Sequence, residues 1–221
     1  MTAPSEKNLP LFISERTFTY FCRTNMRTRN TDKEQLVKQK AMELVVKRGL
    51  DGFSMNKLAK ECGISVATLY IYYKDKDDLI TAIGMEEGNR MTEYTLRDFD
   101  PEAHFADGLR IQWRNRYAYM TEHPTAMLFL EIIRGTAYDD KIFDHIAGQF
   151  RCAMGQFMAN ACERGEVQKL PLEVYWSVAF APLYILGRFE HEGRNMGNKP
   201  FVMTDKILWQ TFDLVIKALT P

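Results

Sequence analysis

No cysteine pair at metal-ligand or redox spacing occurs in this 221-residue sequence, where Cys22, Cys62, Cys152 and Cys162 each stand alone. Neither a zinc knuckle nor a thioredoxin-like site is spelled out, and unpaired cysteines suit a reduced, cytoplasmic chain. With 13 glycines and 8 prolines the composition is far from collagen-like or linker-like. Long apolar runs are missing too. The longest, residues 174–187, is interrupted by Tyr175, Ser177 and Tyr184, and it falls short of the roughly 20 residues that span a bilayer. The run at residues 9–13 stops at Glu15 and Arg16 and is too short for a signal-peptide core. His104, His123, His145 and His191 are widely separated without a carboxylate at ligand spacing, so no metal and no cofactor are expected. Nucleophile elbow, phosphate loop and catalytic triad patterns are all lacking, which points away from an enzyme.

What is present is the material of a soluble globular chain: 46% hydrophobic and 26% charged residues, enough apolar surface to bury a core. Charge balances overall at 29 basic against 29 acidic residues, but it is unevenly placed. Residues 1–80 hold 14 basic and 10 acidic side chains, net +4, and the remainder 15 and 19, net −4. A polyanion would therefore dock at the front.

No segment alternates with the period of two that marks a half-buried strand, and helix punctuation recurs throughout, so the fold class expected is all-α. Thr31 and Glu34 form a capping-box pattern that opens a helix over 31–48, with Gly49 as its stop. Ser54 and Ser65 cap short helices over 54–61 and 65–73, and Asp75, followed by Asp77 and Asp78, starts a fourth to about residue 96. Longer helices are expected over 102–122, 124–134, 139–164, 171–192 and 204–219, the first opened by Asp100-Pro101-Glu102. Pro182 is expected to kink the helix in which it falls or to sit where a carbonyl is otherwise satisfied.

The stretch Met55 to Tyr72, M-N-K-L-A-K-E-C-G-I-S-V-A-T-L-Y-I-Y, carries the strongest signal. Two short helices that cross steeply need a small residue where the backbones meet, a glycine in the turn and apolar residues toward a shared core. Ala59 and Gly63 fill the first two roles, and Leu58, Cys62, Ile64, Leu69 and Tyr72 the third. Turning the second helix by about 100° per residue places Ala67, Tyr70, Ile71 and Lys74 outward. Alanine, isoleucine and the Thr68 methyl suit thymine methyls in a major groove, while tyrosine and lysine reach phosphates. Packing of Ile71 against a neighbouring helix is the alternative.

With these residues the chain resembles the tetracycline-repressor-like (TetR) family, most closely in G-I-S-V-A-T-L-Y-I-Y-Y-K-D-K-D-D-L from Gly63 to Leu79. The resemblance implies a three-helix helix-turn-helix DNA-binding domain over 31–80 and a helical ligand-binding and dimerisation domain over 81–221, after an extension at 1–30. It also implies that Asn56, Val66, Ala67 and Thr68 face base edges while Ser54, Tyr70, Tyr72 and Lys76 hold phosphates. Ser65 and Ile71 complete the expected DNA-binding set. Asparagine at 56 and valine at 66 offer few polar contacts to bases, leaving much of the specificity to methyl contacts and DNA shape. Arg16, Arg23, Arg27 and Arg29 in the extension could lie on phosphate or in a minor groove, or belong to a floppy or packing-ordered tail. Met26 could be the translation start.

In the second domain, the nearly all-apolar helix at 171–192 and the last helix are expected to form a four-helix homodimer interface with Trp176, Phe180, Phe212 and Val215. Trp113, Tyr117, Met120, Phe129, Glu131, Met154 and Phe157 are the expected lining of a mostly apolar pocket for a small-molecule ligand. The function expected is a cytoplasmic, dimeric transcriptional repressor that leaves a double-stranded inverted-repeat operator when the ligand binds. The alternative is a helical enzyme or protein-binding adaptor that keeps the helix-turn-helix only as scaffold.

Overall fold

The computed structural model describes the backbone of residues 15–221 and the side chains of residues 31–142, 148 and 150–221. The arginines of the N-terminal extension, and Cys22, therefore lie outside the described side chains. Ten helices follow in order among the described residues: α1 Glu15–Gly52, α2 Met55–Cys62, α3 Val66–Tyr72, α4 Lys76–Leu96, α5 Phe105–Glu122, α6 Pro124–Ile133, α7 Asp139–Glu163, α8 Leu172–Ala179, α9 Ala181–Glu192 and α10 Asp205–Leu219. The sole β pairing among these residues is an isolated bridge between Arg194 and Pro200.

Most boundaries sit where local chemistry puts them, and three do not. Helix α1 begins at Glu15, so Thr31 and Glu34 lie inside it instead of capping it. Its regular course still ends as expected at Gly49, whose φ of +68° is left-handed. Residues 100–102 make a turn, with the Glu102 amide donating to the Asp100 carboxylate, and α5 starts only after His104. The expected single helix over 171–192 is two. Phe180 leaves the helical region at φ −125°, ψ −30°, and Pro182 stands in the first turn of α9. A proline there has no N–H to give the carbonyl four residues back, so a continuous helix would break at this point.

Buried apolar residues form two clusters. The first joins α1, α2, α3 and the front of α4 to α6 and Ile142 of α7. The second joins α5, the far part of α7, α8, α9 and α10. The boundary expected at residues 80/81 thus falls inside α4 and within one continuous core, with Leu79 and Ile80 fully buried beside it. Lys38 adds a polar clamp across the same junction, its ammonium 2.7 Å from Glu86 of α4 and 2.9 Å from Glu34 of α1. Burial pulls this lysine down, but the hydrogen bonds to Glu86 and Glu34 outweigh it and hold the ammonium above its ordinary range.

Candidate nucleic-acid interface and internal cavity

Helices α2 and α3 form a compact pair fixed by local hydrogen bonds. Ser54 Oγ accepts the Lys57 amide, and Met55, Leu58 and Ala59 turn inward, leaving Asn56, Lys57 and Lys60 exposed. At the C-terminal end of α2, Gly63 takes φ +65° and donates to the Lys60 carbonyl, while Ile64 donates to Ala59. This left-handed cap satisfies the last carbonyls and turns the chain into α3. Ser65 Oγ then accepts the Thr68 amide at 3.2 Å and shares a 2.9 Å hydrogen bond with the Thr68 hydroxyl.

The seven residues of α3 divide sharply by face. Leu69 is fully buried, whereas Tyr70 is 52% and Ile71 78% exposed, with Ala67 and Lys74 also exposed. The alternative of Ile71 packed against a neighbouring helix is not what the chain adopts. Val66, Thr68 and Tyr72 are half-buried at the flanks of this face. Ser54 and Ser65 sit at the helix starts as caps, each accepting a first-turn backbone amide. Lys76 reaches back to the end of α1, its ammonium 2.6 Å from the Leu50 carbonyl and 5.9 Å from the centre of the Phe53 ring. Lys57 and Lys60 were missed by the sequence reasoning as possible phosphate contacts. Their signal was available, since both fall opposite Leu58 and Ala59 on α2.

Behind this unit a cavity of about 110 Å³ lies among α4, α5, α6, α7 and α8, with Met91, Arg116, Glu131, Phe150 and Trp176 in its wall. Of the seven residues expected to line a pocket, Glu131 does so, and Met120 lines a smaller neighbouring hollow. The other five do not face the cavity. Trp113, Phe129 and Phe157 are fully buried in the core, Met154 is 8% exposed, and the Tyr117 hydroxyl donates to Glu190. Trp113 is held there by a 2.8 Å bond from its indole N–H to the Ala179 carbonyl, just where α8 ends.

Arg116 is the wall residue that sequence reasoning missed, although it lies three positions after Trp113 and so shares its inward helix face. Its Nη1 donates to Gln112 Oε1 at 3.0 Å, and Gln112 in turn donates to the Thr95 carbonyl at 3.0 Å. Asn115 adds a 2.6 Å bond to the Arg97 carbonyl, so α5 ties down the last carbonyls of α4. Burial disfavours the Arg116 charge, with the nearby Tyr184 and Tyr175 phenols acting the other way.

Three of the four expected dimer residues are inside the protomer, and Trp176 is half-buried in the cavity wall. Phe180, Phe212 and Val215 are 0%, 1% and 5% exposed, and Trp176 contacts Phe180 at 4.8 Å between ring centres. The apolar side chains that α8, α9 and α10 leave exposed are others: Leu172, Val174, Ile185 and Leu214. Among the described residues no helix is long and apolar enough to cross a membrane, and no His, Cys, Asp and Glu group is placed to hold a metal.

A capped helix, a left-handed glycine turn and a second helix presenting an exposed mixed face define a helix-turn-helix DNA-binding module. Residues 37–83 match the family of bacterial regulatory proteins called the tetR family. An uncharacterised HTH-type transcriptional regulator of Haemophilus influenzae is 30% identical over 102 residues, covering 46% of this chain and 54% of the relative. An HTH-type transcriptional regulator of Staphylococcus aureus is 41% identical over 54 residues, 24% of this chain and 29% of the relative. The chain thus spans about half or less of these curated relatives' lengths. The fold extends further: a TetR family transcription regulator from Marinobacter aquaeolei superposes with a TM-score of 0.71 at 23% identity, covering 88% of this chain and 98% of the other. A TetR-family regulator from Haemophilus influenzae gives 0.70 at 22%, covering 87% and 99%.

Proposed function

We propose that the protein represses transcription by binding an inverted-repeat operator as a homodimer, and that a small molecule in the cavity releases it. The observation that carries the reading is the α3 face, where a 78% exposed isoleucine stands beside Tyr70, Ala67 and Lys74. Apolar side chains at such exposure are in keeping with thymine methyl contact in a major groove, with the tyrosine and lysine on phosphates. Asn56, Val66 and Thr68 flank the same face. Thr68 offers its methyl more readily than its hydroxyl, which is already bonded to Ser65.

Two half-sites about 34–36 Å apart require two copies of α3 at fixed separation. Exposed Val174, Ile185 and Leu214 on α8, α9 and α10 are the residues we assign to the copy–copy contact, in place of the buried set. Helices α4 and α6 both line the cavity, and both pack on α1. A ligand that shifts either helix would change the spacing of the reading helices. The chain Arg116 to Gln112 to Thr95 gives the cavity a direct grip on the end of α4.

A gel-shift titration against DNA flanking the coding region tests the reading. Lys76→Gln should weaken all duplexes alike and lower the salt slope by about one, whereas Asn56→Ala should relax preference at one base position. Absence of any salt-dependent duplex binding by the unmodified protein would remove the reading altogether.

A further inference from the structure

We propose that the ligand taken by the cavity is a monocarboxylate with an apolar body, its carboxylate held by Arg116. The proposal deepens the ligand-release reading above by naming the ligand's chemistry, and it rests on that reading only for its consequence at the DNA. Arg116 is 2% exposed and lines the cavity wall, yet among the described residues no carboxylate lies within 4.0 Å of its guanidinium. The two acidic side chains of the wall are engaged or turned elsewhere: Asp139 accepts the Gly135 amide, and Glu131 is exposed. A buried, uncompensated cation is costly, and proteins retain one where a partner arrives to neutralise it.

Unmet hydrogen-bonding capacity sits in the wall as well. Four buried side-chain polar atoms lack a hydrogen-bond partner among the described residues, and Arg116 Nε is the one that belongs to a residue of this cavity's wall. The Tyr184 and Tyr175 phenols bear on the Arg116 charge. A guanidinium whose Nε–H is unused offers a charge-assisted hydrogen bond to a carboxylate oxygen. The rings of Phe180, Trp176 and Phe150 stand 4.3, 5.7 and 5.3 Å from the guanidinium carbon. They soften the charge without accepting its hydrogen bonds. Met91, Leu130 and Ile133 make the remaining wall apolar, which calls for a hydrocarbon or aromatic body. One buried cation matches one negative charge, since Glu131 and Arg134 of the same wall are exposed and of opposite sign, and Asp139 accepts the Gly135 amide.

Octanoate and 4-phenylbutyrate, each against its neutral amide, are the probes, read by calorimetric titration and thermal shift on the full chain. The expected result is that at least one acid binds and raises the melting temperature with dose, the corresponding amide binding at least about tenfold more weakly. Which acid binds more tightly distinguishes an aliphatic from an aromatic body. Arg116→Gln should abolish the preference for acid over amide. Equal binding of acid and amide by the unmodified protein would overturn the proposal even if the variant fails to fold, as would no binding of either acid at millimolar concentration. Operator release is scored separately. A carboxylate that binds through Arg116 yet leaves operator affinity unchanged supports the site and sinks the switch.

Discussion

Helices α2, α3 and α4 each begin at a side-chain cap, Ser54, Ser65 and Asp75, whereas α5 to α9 begin without one. At the DNA-reading end, residues three apart in sequence decide where a helix starts and which face it shows. In the rear domain α10 alone starts this way, at Thr204, and a distant partner can take over the task. Helix α5 is the clearest case: His104 gives no cap, and the free Phe105 amide instead donates to Glu166, 61 residues away and 2.7 Å distant. The starts of α2, α3 and α4 are thus set by short-range chemistry, and that of α5 by a tertiary contact.

The largest expected effect attacks the tertiary side of that contrast. Trp113→Ala empties a fully buried site and leaves the Ala179 carbonyl without its donor, so chemical denaturation should show a loss of about 3–5 kcal/mol. Because the first core runs from α1 through α6 without a gap, unfolding should remain one transition. Two resolved transitions would mean that the ends are more independent than their shared core implies. On the local side, Gly63→Ala forces a side chain into a left-handed conformation at φ +65°, and a loss of roughly 1–2 kcal/mol is expected by the same measurement. Ser65→Ala removes the α3 cap and should cost about 1 kcal/mol.

A smaller effect distinguishes the two kinds of anchor by pH. The Arg164 guanidinium beside Glu166, aided by hydrogen bonds from His104 and the Phe105 amide, holds that carboxyl down at about 2. A lowered carboxylate stabilises the fold above its unfolded value of roughly 4.3, and that contribution is lost as pH falls from there toward 2. Melting temperature recorded from pH 5 to pH 2.5 should fall less steeply in Glu166→Gln than in the unmodified protein. Identical slopes would show that the tie to α5 is not electrostatic. Smallest in stability is Ile71→Ser, expected within about 0.5 kcal/mol because the side chain touches little of the fold. It should nonetheless weaken operator binding, separating reading from folding at a single residue.

The same contrast explains what was legible in the sequence. The outward set Ala67, Tyr70, Ile71 and Lys74 followed from spacing alone, because a seven-residue helix with one buried side, centred on Leu69, has only one way to face. Helix existence was legible almost throughout, since apolar periodicity and glycine or proline stops are local. The wall of the cavity was not. Trp113, Phe129, Met154 and Phe157 looked like pocket residues because core and cavity walls draw on the same apolar types, and only packing among five helices decides between them. Phe180, Phe212 and Val215 failed as partner-facing residues for a related reason. An all-apolar segment reports burial without saying whether its own chain or another supplies the cover. The early start of α1 had no warning, because Thr31 and Glu34 read as a cap whether or not helix precedes them.

Selection from a random duplex pool by the full chain, followed by affinity measurements at rising salt, addresses the central claim most directly. The account predicts enrichment of an inverted repeat with half-site centres one helical turn, or a whole number of turns, apart. It predicts a preference of about a thousandfold or more over scrambled duplex, greatly reduced in Tyr70→Ala while the melting temperature is unchanged. Recovery of no motif, with equal affinity for selected and scrambled DNA, would contradict it.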